Sequence, residues 1–238
     1  MLKEIHFLED LQHEPCYTKE DKKVIMNDWE EVMRPLKRQR GMNWYNRLGP
    51  LVVCFSLNMK AYSIKYYPEY SVHNLYREFP CLTATLRVHG RGICPNNHNE
   101  RYVDEARFIK EKAYIPIEGD LDIDQIIWGY EKFFEDTKEK RYEGNITEFE
   151  DMVWICGWTK MPEKIEYALK ITYDRLKAHD WWFHFLSSEN GQYVDGGYDK
   201  WFKKLEESAW NGNQLNTIFE TELKKHKLEK IPERNILF

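Results

Sequence analysis

The apolar residues of this chain recur with two periods, and each period predicts a different element. Over residues 18–34 they recur every three or four positions, which predicts an amphipathic helix, and Thr18 with Asp21 resembles the capping box that begins one. Pro35 is expected to end this helix. Over Leu82–His89 apolar and polar residues alternate, which predicts a strand with one buried and one solvated face.

Shorter patterns predict the remaining elements. The continuous apolar run Leu51–Leu57 suits a strand buried on both faces. Similar short runs predict strands over residues 61–67, 113–117, 152–158 and 181–186. Helical spacing predicts helices over residues 100–112, after Asp122, from Pro162, over residues 198–210 and over residues 213–227. Residues 35–49 are polar and are expected to form a connection.

These elements predict one α+β domain over residues 1–238. A mainly antiparallel sheet is expected in the first half with amphipathic helices packed on it, and the second half is expected to be rich in helices. Residues 138–147 are the one plausible boundary within the chain.

The charges of the chain are segregated, although its net charge is only −5. No Asp or Glu occurs between Val32 and Pro68, and over residues 32–99 ten Lys and Arg residues stand against two Glu residues. Such segregation indicates a face for an anionic partner. Part of it has a simpler origin, because the apolar strand predicted over residues 51–57 lacks charge of either sign.

Composition narrows the class of protein. Aromatic residues make up 15% of the chain and hydrophobic residues 42%, which indicates a folded globular protein. Five scattered Cys residues without a CxxC pair do not form a disulfide framework, so we expect a reducing compartment. Neither a signal peptide nor a membrane-spanning run is evident, and we expect a cytoplasmic protein without membrane contact.

The end of the strand predicted over Leu82–His89 is the sharpest local candidate site. Arg87, His89 and Arg91 share its polar face with Thr83 and Thr85 if the alternation continues. Two guanidinium groups beside an imidazole suit the binding of a phosphate or carboxylate. The alternative is that these residues form the ordinary solvated face of an antiparallel strand.

The polar connection offers a second set of candidates. Arg38, Arg40 and Arg47 are interleaved with Trp44 and Tyr45. Cations for phosphates and rings for bases are how single-stranded nucleic acid is held. No RNP, helix-turn-helix or zinc-finger motif supports that interpretation, and the alternative is a solvated loop against the acidic half of the same chain.

A metal site would have to be built from Cys81, His89, Cys94 and His98. Their residue types suit zinc, but the spacing lacks the CxxC pair of familiar structural sites, so we expect no metal. No motif for a nucleotide or another cofactor is present, and we expect none.

Three functions remain open, and the chain resembles no family that we recognise. We favour a non-catalytic binding protein that presents the basic, aromatic-containing face of residues 32–99 to an acidic protein partner. The second hypothesis is an enzyme for a phosphorylated or other anionic substrate, with His89 as acid or base and Arg87 and Arg91 as anion clamps. The third is the binding of single-stranded nucleic acid.

Overall fold

A capped helix precedes the sheet in the part of the chain that the computed structural model describes, which is residues 17–59, 63–78, 81–137, 146–178 and 197–238. Helix α1 (Lys19–Val32) begins at the predicted capping box. The Asp21 backbone N–H donates to Thr18 Oγ1 over 3.0 Å, and the Thr18 backbone N–H donates to Asp21 Oδ2 over 2.8 Å. The prediction of a helix over residues 18–34 is confirmed.

Five antiparallel strands follow, paired in chain order. They are β1 (Lys37–Arg40), β2 (Asn43–Leu48), β3 (Leu51–Met59), β4 (Tyr66–Asn74) and β5 (Thr85–His89). The prediction of a connection over residues 35–49 is wrong, because this segment supplies β1 and β2. Strand β1 lies at the end of the sheet with all four side chains exposed, so no apolar face marks it in the sequence. Gly41 and Gly49 have φ angles of +61° and +55° in the turns on either side of β2, a conformation that glycine adopts without steric cost.

The helices lie mainly in the second half, and the fold class is α+β, as predicted. They are α2 (His98–Lys112), α3 (Ile123–Thr137), α4 (Ile146–Thr159), α5 (Pro162–Ala178), α6 (Gly197–Trp210) and α7 (Gly212–Lys225). The five helices predicted after α1 are confirmed. Residues 152–158 were expected to form a strand, but they lie in α4. Since α3, α5, α6 and α7 all pack against α4, its apolar run has no clear amphipathic stripe to distinguish it from a strand.

The two faces of the sheet are buried to different extents. The inner face carries Trp44, Phe55 and Tyr70 and forms the main core with the helices. The outer face is covered in part by a smaller cluster around Val52, which contains Leu75, Leu228 and Ile231. Half-buried Tyr45 packs against this cluster, which bears on the candidate sites below.

The ladder between β4 and β5 contains a β-bulge. Thr85 lies opposite Val72 and Val88 lies opposite Tyr70, so β5 carries one more residue between these pairs than β4 does. The additional residue reverses the alternation of faces. Thr85 is therefore buried on the inner face, and the prediction that it shares a polar face with His89 is wrong.

Residues 113–117 connect α2 to the following elements without forming the expected strand. Ile115 bonds through both backbone groups to the Tyr70 hydroxyl, at 2.8 and 3.2 Å, and Asn46 Nδ2 donates to the Ile117 carbonyl over 2.8 Å. Buried side chains thus take the place of strand partners, which satisfies a buried backbone without a ladder.

Three short strands complete the described structure. They are β6 (Leu121–Asp122), β7 (Glu233–Arg234) and β8 (Ile236–Leu237), with β7 parallel to β2 and β8 parallel to β6. The strand predicted over residues 181–186, most of the boundary near residues 138–147 and part of the strand predicted over residues 61–67 lie outside the described residues. Among the helices described, none combines the length and the apolar content that crossing a bilayer requires.

Candidate functional site

The two basic segments singled out in the sequence lie at opposite edges of the sheet. Strands β1 and β5 are the two ends of the strand order, with β2, β3 and β4 between them. At a spacing of about 4.8 Å per strand they are roughly 19 Å apart. The structure therefore does not bring the predicted residues together into one continuous basic site.

Strand β1 forms what we term the basic edge, consisting of Lys37, Arg38 and Arg40. In register, Lys37 lies opposite Tyr45 and Arg40 opposite Asn43, which places these two cations on the outer face. Among the described residues, neither of them forms an ion pair. Arg38 lies opposite Trp44 on the inner side, and its Nε is 3.6 Å from Glu30 Oε2 on α1. The basic edge therefore presents two cations without an ion pair to a described residue on one side, and a weak exposed ion pair on the other.

The aromatic and cationic residues of β2 belong to the packing of the sheet. Trp44 is fully buried, with its ring centroid 5.5 Å from that of Phe55. The Arg47 guanidinium lies 5.3 Å from the Phe219 ring centroid, and its Nη2 is 2.5 Å from Glu233 Oε2. Tyr45 is half-buried, and burial raises the pKa of its hydroxyl. Of these three, only Tyr45 borders the basic edge on the outer face.

The opposite edge carries the Arg-His-Arg segment on an open surface. The side chains of Arg87 and His89 are 53% and 66% exposed, and each lies 3.8 Å from a Glu69 carboxylate oxygen. The Arg91 side chain is also exposed, and its backbone N–H donates to Glu105 Oε1 over 2.5 Å. Among the described residues, the Glu69 carboxylate lies beyond hydrogen-bond distance from the exposed His89 ring, whereas a general acid or base is commonly oriented by a hydrogen bond inside a pocket.

The residues considered for zinc differ in burial and in hydrogen-bond partners. Cys81 is exposed, whereas His98 is buried, with its Nε2 2.9 Å from Asp28 Oδ2 and its Nδ1 2.6 Å from the Tyr66 hydroxyl. Within the described ranges, no group of three or more His, Cys, Asp or Glu side chains is arranged to hold a metal ion.

A cleft that the sequence did not indicate lies between the end of β4, α4, α6 and α7. We term it the α4 cleft; its volume is about 400 Å³, within the range of small-molecule sites. Aromatic and charged side chains line it, among them Arg77, Glu78, Glu150, Trp154, Trp201 and Lys204. Apolar walls with a few convergent polar groups are the usual composition of a ligand site.

A network around Arg77 fixes the polar wall of the α4 cleft. Arg77 Nη1 donates to Glu150 Oε2 over 2.8 Å, and Nη2 donates to Asp151 Oδ1 over 3.0 Å. The guanidinium lies 5.1 Å from the Trp154 ring centroid, and Trp201 Nε1 donates to Glu150 Oε1 over 2.8 Å. Because Arg77 and Glu150 are only 15% and 16% exposed, these charge-assisted bonds are largely protected from solvent.

Two carboxyl groups behind the cleft, those of Glu148 and Asp151, are buried. Burial raises the pKa of Glu148 to about 8, and the charge of Asp151 adds to this rise. Burial likewise raises the pKa of Asp151 to about 6, although Arg77 opposes the shift. Thr85 Oγ1 donates to Asp151 Oδ2 over 3.2 Å, whereas Glu148 Oε2 has no hydrogen-bond partner among the described residues. Buried carboxyl groups with raised pKa values are a common property of functional sites.

One sequence signal would have indicated this cluster. Glu148 and Asp151 are three residues apart, which places both on one side of a helix, but residues 152–158 were expected to form a strand.

Comparisons of the chain with models of protein families, with curated proteins and with solved structures each return no match. The function must therefore be inferred from the geometry alone.

Proposed function

We propose that this chain is a non-catalytic binding protein whose basic edge meets an acidic segment of a partner protein. The observation that carries the proposal is the exposure of every side chain of β1, with Lys37 and Arg40 forming no ion pair among the described residues. Cations placed in this way give an acidic partner both long-range attraction and a defined place to dock.

The mode of binding that fits best is the addition of a strand. Strand β1 pairs with β2 on one side, and no described strand pairs with its other side. An extended peptide can bond to the backbone groups of such an edge, while alternate side chains supply specificity. Carboxylates on the outer face of that peptide would lie beside Lys37 and Arg40.

The same cations would select against other partners. Lys and Arg on an edge strand oppose its pairing with basic strands and with further copies of itself. An acidic strand removes this repulsion, so the charges exclude some partners and attract others. Arg87, His89 and Arg91 lie too far away to join this surface, and they are left out of the proposal.

The test uses fluorescently labelled peptides of about six residues, which is the common length of a strand. Binding of an alternating Glu–Val peptide is compared with that of a Lys–Val peptide by fluorescence anisotropy at about 0.01 M ionic strength, where charges act over about 30 Å. We expect only the acidic peptide to bind. N-methylation of alternate peptide bonds should abolish binding if a strand is added, because it removes backbone donors.

The matched variants change the same charge at the two edges. The double variant Lys37→Glu/Arg40→Glu should weaken binding of the acidic peptide by roughly tenfold or more, whereas Arg87→Glu/Arg91→Glu should change it less than about twofold. Equal losses in the two variants would overturn the proposal, and so would a lack of binding by the acidic peptide. Tighter binding of a labelled oligothymidylate than of the acidic peptide would favour nucleic acid instead.

A further inference from the structure

We infer that the α4 cleft is a second binding site, independent of the basic edge, and that it takes a small organic ammonium ion held by Glu150 between Trp154 and Trp201. An aryl or alkyl primary amine has the charge, the donors and the apolar body that these walls accommodate.

The charge around the α4 cleft favours a cation. Two carboxylates of α4, those of Glu150 and Asp151, share one guanidinium, and among the described residues only Arg77 forms ion pairs with them. The surplus of one carboxylate attracts a positive ligand and repels an anion, and the effect is strong where solvent is excluded.

The rim of the cleft does not reverse this balance. Lys204 and Glu78 both line the opening and are both exposed, so their opposite charges offset each other and are screened by water. The half-buried Glu150 carboxylate on the wall of the α4 cleft is therefore the group that distinguishes a cationic ligand from a neutral one.

Glu150 has the bonding capacity that an ammonium group needs. Its two oxygens each accept one bond within the protein, from Trp201 and from Arg77. A carboxylate oxygen can accept two bonds, so each oxygen has capacity for one further N–H donor. The bonds already present hold the carboxylate in place, which reduces the cost of ordering it when a ligand binds.

The aromatic walls suit the remainder of an amine ligand. Trp154 Nε1 donates to Ser208 Oγ over 2.9 Å and Trp201 Nε1 donates to Glu150, so both indole N–H groups are satisfied inside the protein. What the rings offer a ligand is therefore apolar surface and π density, which attract cations. The position of Arg77 over the Trp154 ring shows the same attraction within the chain. Leu205 and Leu215 extend the apolar lining for a hydrocarbon group.

Three probes that differ mainly in the charge of one end test the inference. Binding of 2-phenylethylammonium, 2-phenylethanol and phenylacetate is measured by calorimetry and by tryptophan fluorescence. We expect the ammonium ion to bind at least about tenfold more tightly than the alcohol, and phenylacetate to bind most weakly. Equal binding of the alcohol, tightest binding of phenylacetate, or no ammonium binding at about 10 mM would each overturn the inference.

Two variants and one control assign the site. In Glu150→Gln, 2-phenylethylammonium and 2-phenylethanol should bind with about equal affinity, because the amide retains an acceptor for Trp201 but has no charge. Glu207→Gln, which removes an exposed carboxylate on α6 that does not line the cleft, should leave the preference unchanged. An unchanged preference in folded Glu150→Gln would overturn the inference.

The second variant does not touch the Arg77 network. Ile218→Trp fills the cleft from α7 and should abolish binding of all three probes. Retained binding in this variant would show that the probes bind elsewhere, which also overturns the inference. A thermal unfolding curve for each variant establishes that it is folded.

Discussion

The two edges of the sheet carry their charges in opposite ways. At the β1 edge, three cations are exposed, and two of them form no ion pair with a described residue. At β5, helix α4 packs against the strand and brings Glu148 and Asp151 into the interior, where Thr85 and Arg77 are the polar partners of Asp151. A charge at the first edge is free for intermolecular contacts, whereas a charge buried behind the second contributes to the stability of the fold.

This difference follows from solvation. An exposed ion retains most of its water and contributes about 0–1 kcal/mol through any surface ion pair. A buried ion has lost that water, so its partners decide the free energy of the folded state. The four predictions below test this contrast, beginning with the change that should have the largest effect.

Arg77→Met should have the largest effect on stability. It removes the one guanidinium that Glu150 and Asp151 share and leaves the buried Asp151 carboxylate without a cation. We expect the free energy of unfolding at neutral pH to fall by about 3–5 kcal/mol in urea denaturation.

The matched control for that change is Arg87→Met on β5, whose side chain is 53% exposed. It should change the free energy of unfolding by less than about 0.5 kcal/mol. Similar losses in the two variants would contradict the contrast between a buried and an exposed guanidinium.

The second prediction concerns the dependence of stability on pH. Since the pKa of Glu148 is about 8, above its ordinary value, the folded chain holds a proton that the unfolded chain has lost. The free energy of unfolding should therefore fall as pH rises from the ordinary pKa of a Glu side chain towards 8, by about 1.4 kcal/mol per pH unit. Glu148→Gln should remove this slope.

The measurement belongs between pH 6.5 and 8. Burial lowers the pKa of His73 to about 4, so at lower pH the unfolded chain binds a proton at His73 that the folded chain does not. This reduces the free energy of unfolding as pH falls, which is opposite to the effect of Glu148. Asp151, with a pKa of about 6, is largely ionised above pH 6.5 in both states. A slope of the same size in Glu148→Gln would show that another group is responsible.

The third prediction tests the hydroxyl that reaches the buried acids. Thr85→Val keeps the shape of the side chain but removes the one hydroxyl donor that faces both the Val72 carbonyl, at 2.8 Å, and Asp151 Oδ2, at 3.2 Å. We expect a loss of about 1–2 kcal/mol in the free energy of unfolding, because a buried acceptor is left with fewer donors. Thr221→Val on α7 provides the control, since its hydroxyl bonds only the backbone of its own helix and is exposed. An equal loss in the control would remove the special role of Thr85.

The smallest effect is expected at the basic edge. Lys37→Gln/Arg40→Gln should alter the free energy of unfolding by less than about 0.5 kcal/mol, because neither side chain is buried or paired with a described residue. Thermal unfolding at low and moderate salt measures this directly. A loss above about 1 kcal/mol would mean that these cations support the fold, and the contrast between the edges would fail.

The sequence predicted what depends on neighbouring residues. Thr18 and Asp21 identified the start of α1, and the apolar run at residues 51–57 identified β3, because both signals are complete within a short segment. The prediction for residues 35–49 failed because β1 is recognisable only through its pairing with β2. Exposed edge strands carry little apolar pattern of their own.

The candidate sites show the same limit. That Arg38 and Arg40 are charged was evident, but whether Trp44 and Arg47 are accessible depended on Phe55, Phe219 and Glu233. The spacing of Glu148 and Asp151 could have indicated two acids on one side of a helix, but not the α4 cleft, because Arg77 and Glu150 are brought together only by tertiary packing. Charge segregation along a sequence thus indicates where cations are, but not which of them are buried.

The short strands near the end of the described chain affect the order of folding. β7 pairs with β2 and β8 pairs with β6, so the edge of β2 next to β1 is completed by residues that leave the ribosome long after β2 itself. Contacts between such distant parts of a chain form slowly, because a large loop must close first. During synthesis, the nascent sheet would therefore expose the backbone of β2 at this position until Glu233 and Arg234 are made.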